Sequence, residues 1–155
     1  MRTWLLVPLV LLLACGGGGD ELGNWNIDVQ GVGAGILTHH AGQEVLLSIT
    51  CSEKGFRVAI HTDIHSDFRD VVHPVTVRFD QNEPAEHLWN YWHFAESGFY
   101  KTSVVANEPG AFISQLVDAN RLTVDIAITE TDSVPATWDD VGGFAIAYEA
   151  VKREC

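Results

Sequence analysis

Positive charge is scarce in this sequence. The 155-residue chain carries nine Lys and Arg against 21 Asp and Glu, and its basic residues never cluster. Nucleic acids and anionic membrane surfaces are bound by clustered cations that displace counterions, so this balance disfavours both as partners. Long apolar runs are also missing. The stretch from Trp4 to Leu13 is the most apolar, and it falls well short of the about 20 residues that a membrane-spanning helix needs. No serine sits in a Gly-x-Ser-x-Gly turn, so Ser48, Ser52, Ser66, Ser97 and Ser103 carry no signature of nucleophilic catalysis. The acidic residues Asp125, Glu130, Asp132, Asp139 and Asp140 match no calcium loop and read as a solvated acidic surface. There is no internal repeat.

What is present begins with an export signal. Arg2 supplies the positive start, the apolar stretch follows, and small Ala14 precedes Cys15. Leu12-Leu13-Ala14-Cys15 resembles the lipobox of bacterial lipoproteins, in which the cysteine is acylated and becomes the new amino terminus. The expectation is a signal peptide over 1–14 and a lipidated Cys15 heading a flexible tether over 15–23, with a single domain over 24–155. Gly16 is not Asp, the residue that in Gram-negative lipoproteins marks inner-membrane retention. An outer-membrane anchor facing the periplasm is therefore expected. Cleavage removes Arg2 and leaves eight basic residues against 21 acidic ones, a net charge of −13.

With Cys15 committed to lipid, Cys51 and Cys155 remain, and an oxidising compartment favours a disulfide between them. It would close a loop of on the order of 100 residues, worth roughly 4 to 5 kcal/mol in the chain-entropy account. The whole chain is 46% hydrophobic, and some 140 mature residues are enough for one buried core.

Periodicity sets the fold class. Val45-Leu46-Leu47-Ser48-Ile49-Thr50-Cys51 reads as a strand, and Phe56, Val58 and Ile60 alternate with polar neighbours after a turn at Ser52 to Gly55. Val75, Val77 and Phe79 alternate likewise, and Pro74 predicts an edge strand or a bulge there. Two aromatic-rich strands follow over His87 to Phe94 and Phe99 to Val105, joined by a turn at Ser97-Gly98. Phe112, Gln115, Leu116 and Ala119 change the period to that of a short helix started by Glu108-Pro109. Leu122, Val124, Ile126 and Ile128 form another strand. Phe144, Ala147, Tyr148 and Val151 then recur at helical spacing and bring Cys155 towards Cys51. The expected fold is mainly β or α+β, an antiparallel β-sandwich or open barrel with one internal helix and a C-terminal helix.

The order of landmarks, Trp25, Cys51, Val77-Arg78-Phe79-Asp80, Trp89, Phe112, the Leu122 to Ile128 strand, Phe144 and the late cysteine, resembles the small periplasmic accessory proteins associated with type VI secretion systems. The resemblance covers the mature domain. It implies a shared fold, with neither catalytic residues nor a cofactor.

Three constellations could carry chemistry. His61, Asp63 and His65 alternate on what reads as one strand, and two imidazoles with a carboxylate suit zinc or copper. Against this, His61 and His65 lie about 13 Å apart along an extended chain at about 3.3 Å per residue, so the strand would have to bend. Trp89, Tyr91 and Trp92, with His93, Phe94 and Tyr100, offer an aromatic platform for a protein or a carbohydrate, or else pack the core. Arg78 and Asp80 would share a face as an ion pair. The function expected is a non-enzymatic accessory module that binds another envelope protein through Trp89, Tyr91 and Trp92, without a cofactor. The alternatives are a metal-binding protein or metal-dependent hydrolase using His61, Asp63 and His65, and a carbohydrate-binding lipoprotein.

Overall fold

Alternation of large apolar residues with polar ones runs through most of the chain, and each alternating segment forms a strand whose apolar side faces inward. The computed structural model describes residues 22–28, 33–67, 72–92 and 100–155. The expected leader, Cys15 and the glycine tether as far as residue 21 lie outside the described residues, as do His93, Phe94 and the Ser97-Gly98 turn. The elements in chain order are β1 (Asn26–Asp28), β2 (Gly33–His40), β3 (Gln43–Ser52), β4 (Gly55–Thr62), β5 (Val72–Phe79), β6 (Ala85–Tyr91), β7 (Thr102–Val105), α1 (Pro109–Leu116), β8 (Leu122–Ala127), β9 (Ser133–Trp138) and α2 (Phe144–Glu154). Among the described residues no helix is long and apolar enough to cross a membrane.

The strands make one antiparallel sheet in the order β1-β2-β3-β4-β7-β6-β5-β8-β9. The sheet curls into a half-barrel with the core inside, the open-barrel form of the expected fold. Its two ends approach one another, where the Trp138 indole N–H donates to Ile36 O at 3.1 Å and Thr38 Oγ1 donates to Thr137 O at 2.6 Å. Val45, Leu47 and Ile49 of β3 and Val58 and Ile60 of β4 lie side by side on the inner face, in one core with Val75, Val77, Leu122, Val124 and Ile126. The β2–β3 hairpin turns on Ala41 and Gly42, both at positive φ, as the turn type that matches strand twist requires.

Pro74 is not at an edge. β5 lies between β6 and β8, and its ladder with β8 runs from Phe79↔Leu122 only to Val75↔Ile126. One step further, Pro74 has no N–H to give to Ala127 O, and the ladder ends. The His73 ring supplies the missing donor, with Nδ1 at 3.2 Å from that oxygen. Arg78 and Asp80 also depart from expectation, since no ion pair joins them among the described residues. Asp80 leaves β5 at φ 51°, and its Oδ1 accepts the backbone N–H groups of Asn120 and Arg121 at 2.9 and 2.8 Å, fixing the approach to β8.

α2 buries Phe144, Ala147 and Val151 at the spacing read from the sequence, whereas α1 buries Phe112, Ile113 and Leu116, with Gln115 exposed and Ala119 buried beyond the helix end. Phe144 packs on Trp25 at 4.9 Å between ring centroids. Beyond α2, Cys155 is bonded to Cys51 on β3, with the two Cα atoms 5.8 Å apart and 104 residues between them in sequence. Replacing either cysteine by serine is expected to lower stability by about 4 kcal/mol, read as the difference in denaturant unfolding between variant and parent. A matching loss should follow reduction of the parent, and no change would show that the bond contributes nothing.

Candidate functional site

Strand alternation decides where each candidate side chain goes. In β6 it sends His87, Trp89 and Tyr91 to the inner face and Leu88 and Asn90 to the outer face, so the aromatic run does not form one platform. Trp89 is only 3% exposed and meets Phe112 of α1 edge-on at 5.5 Å. Phe112 in turn meets Phe79 at 5.2 Å. Tyr91 is half-buried, stacks on His73 at 5.4 Å and donates its hydroxyl to Lys101 O at 3.2 Å. Trp92 lies across the sheet from these, with the Arg57 guanidinium 4.3 Å from its ring centre. The expectation of a joint contact surface made by Trp89, Tyr91 and Trp92 is therefore corrected, because a period of two separates neighbours.

The histidine motif is divided in the same way. β4 ends at Thr62, whose Oγ1 accepts the Ile64 N–H at 3.2 Å, and the chain then bends until the Asp67 N–H reaches Ile128 O at 2.8 Å. Asp63 is half-buried and His65 exposed beyond the strand end. Among the described residues no three His, Cys, Asp or Glu side chains are grouped closely enough to hold a metal ion. His61 is instead part of a polar chain across three strands. Its Nδ1 is 2.8 Å from Ser103 Oγ, directly opposite on β7, and its Nε2 is 2.9 Å from Ser48 Oγ, diagonal on β3. Tyr100 stacks on the imidazole at 5.4 Å, and Trp92 lies 6.2 Å away.

This enclosure leaves His61 only 6% exposed, and burial lowers its pKa from 6.5 to about 4. At neutral pH the ring is uncharged and uses one nitrogen as donor and the other as acceptor. Burial also raises the Tyr100 pKa, helped by the charges of Glu44 and Asp63. The sequence singled out His61 but not its partners. Ser48 and Ser103 are 13 and 42 residues from it in the chain, and only the register brings them together.

A second feature is concave. Between β6 and α1 runs a cleft of about 370 Å³ lined by residues that include Leu88, Trp89, Asn107, Glu108 and Phe112. Its apolar lining includes Phe79, Trp89 and Phe112, Glu86 and Glu108 bring acidic residues to it, and the Asn107 carboxamide donates to Leu88 O. Leu88 itself is 57% exposed on the outer face beside it.

No protein-family model matches the chain, and no curated protein is similar to it in sequence. Among solved structures, that of invasion associated protein B from Bartonella henselae superposes with a TM-score of 0.57 at 16% identity, covering 86% of this chain and 94% of that one. At that identity the likeness establishes a shared fold.

The depressed pKa of His61 has a measurable consequence. The unfolded chain binds a proton near pH 6.5 that the folded chain refuses until about pH 4, so stability is fully present above pH 6.5 and falls as pH drops through that window. Between pH 7.5 and 5 the loss from this one group should be about 2 kcal/mol. The His61→Gln variant, whose carboxamide can still serve both hydroxyls, should lack that part of the acid sensitivity in urea unfolding at the two pH values. An unchanged pH dependence would show that His61 is not the group responsible.

Proposed function

We propose that the chain is a lipid-tethered protein of the bacterial cell envelope that works by binding another envelope protein, as an accessory to a secretion machine, and not by catalysis. The observation that carries this reading is the cleft between β6 and α1, where Leu88 stands exposed at the side of a floor built on the buried Trp89 and Phe112. Large apolar side chains in a concave site, surrounded by polar groups, are the usual anchor of a protein contact. The Cys51–Cys155 bond agrees with an oxidising compartment. The leader ending in Cys15 supports tethering at the outer membrane, facing the periplasm. The landmark order that resembles type VI secretion accessories supports the choice of pathway.

The contact is tested by crosslinking in intact envelopes with the lipidated chain as bait. Trp89→Ala is the wrong control, because truncating a buried tryptophan leaves a cavity costing about 3 to 5 kcal/mol. Leu88→Glu changes only the exposed rim. The parent should capture a specific partner that Leu88→Glu loses, and Cys15→Ala should release the protein from the membrane fraction. No partner for the parent would overturn the binding reading, and a membrane-bound Cys15→Ala would overturn the anchor.

A further inference from the structure

The cleft exists because the sheet is split there. β6 pairs with β5 all along from Ala85 to Asn90, but on its other side β7 reaches only Asn90 and Tyr91. After Val105 the chain leaves β6, since the Ala106 N–H bonds to Val58 O and Pro109 starts α1. From Ala85 to Trp89, no strand among the described residues pairs with that side of β6.

The direction of its backbone groups follows from alternation. The Trp92 N–H points to β7, where it bonds to Ser103 O at 2.8 Å, so the groups of Asn90, Leu88 and Glu86, at even spacing, point the same way. Two independent facts agree. Leu88 O receives the Asn107 carboxamide from that side, and Pro74, the residue opposite Leu88 on β5, has no N–H to exchange. A side-chain amide is a peptide group without its chain, and Asn107 thus places a donor where the N–H of a neighbouring strand would be.

We propose that this open edge of β6 receives an extended segment of the partner protein as an added strand, and that the segment alternates apolar with basic residues. This rests on the binding-module reading above and specifies how the partner is held. A strand edge of about five residues without a neighbouring strand offers roughly 16 Å for backbone hydrogen bonding, the element from which strand addition draws its affinity, and an arriving strand N–H takes the place of the Asn107 carboxamide at Leu88 O. Side chains on the inner face of the added strand meet Trp89 and Phe112. Those on its outer face lie beside Leu88 and Glu86, with Glu108 at the start of α1. No Lys or Arg is found among the described residues lining the cleft, and the chain carries a formal net charge of −12, so cations are the complementary side chains. Opposite charges directly across two strands add to the pairing.

The test uses a nine-residue peptide of alternating Val and Lys with blocked ends, added to the full chain, with amide hydrogen exchange followed residue by residue. Binding should slow exchange at Leu88 and Glu86 by about tenfold or more and leave His87 and Trp89, whose groups face β5, unchanged. N-methylating the peptide at the positions that face β6, or replacing its Lys by Glu, should each weaken binding by about tenfold, whereas methylation at the intervening positions should not. Binding without protection at Leu88 and Glu86, equal binding of both methylated peptides, or no binding would each overturn strand addition. Envelope capture is read separately. A partner lost by Leu88→Glu alongside failed peptides would remove only strand addition, while failed capture would remove the binding reading itself.

Discussion

The curled sheet encloses a core only because its two ends are held together, and indole N–H groups do much of that holding. Trp138 on β9 reaches Ile36 O on β2, and Trp25 before β1 reaches Val141 O just before α2, both at 3.1 Å. These bonds join segments 102 and 116 residues apart. An indole serves here because it buries a large apolar body and still directs one donor to a carbonyl that would otherwise be lost from water. Were the seam to part, the inner faces of β2 and β9 would meet solvent, and Phe144 would lose the Trp25 ring on which it packs.

The closed side of the half-barrel contrasts with the split between β6 and β7. β7 has four residues, paired in full with β4 and only partly with β6. The departing chain becomes α1, whose Phe112 covers Trp89 from within. The helix thus does for the inner face of β6 what a strand does not do for its edge: it excludes water from the apolar side chains and leaves the backbone line accessible. Packing and hydrogen bonding are satisfied by different elements, and the cleft is the space between them.

Much of this was legible in the sequence because strand alternation and helical spacing are local. Phe56, Val58 and Ile60 on β4, and Leu122, Val124 and Ile126 on β8, face the interior as their alternation required. Phe144, Ala147 and Val151 form the buried stripe of α2, and Cys155 meets Cys51. Pairings between distant strands were not legible. Pro74 suggested an edge because a missing donor is tolerated there, but in the structure the β5–β8 ladder stops beside it and His73 substitutes a ring N–H. Trp89, Tyr91 and Trp92 looked like one aromatic group because their neighbours in space, Phe112, His73 and Arg57, come from α1, β5 and β4. The Ser48–His61–Ser103 chain depends on the register of three strands, and composition carries no trace of it.

The position of the disulfide also sets an order of events. Cys51 ends a hairpin with β4, a local structure that forms in microseconds, whereas Cys155 arrives 104 residues later. At roughly 5 to 20 residues per second, synthesis of that interval takes on the order of ten seconds. Throughout it Cys51 is a thiol without its partner, held on a hairpin that is already able to fold. A chain exposed to oxidant during that interval has only Cys15 or foreign thiols with which to pair, so the bond that stabilises the finished domain makes its nascent form vulnerable to wrong covalent partners.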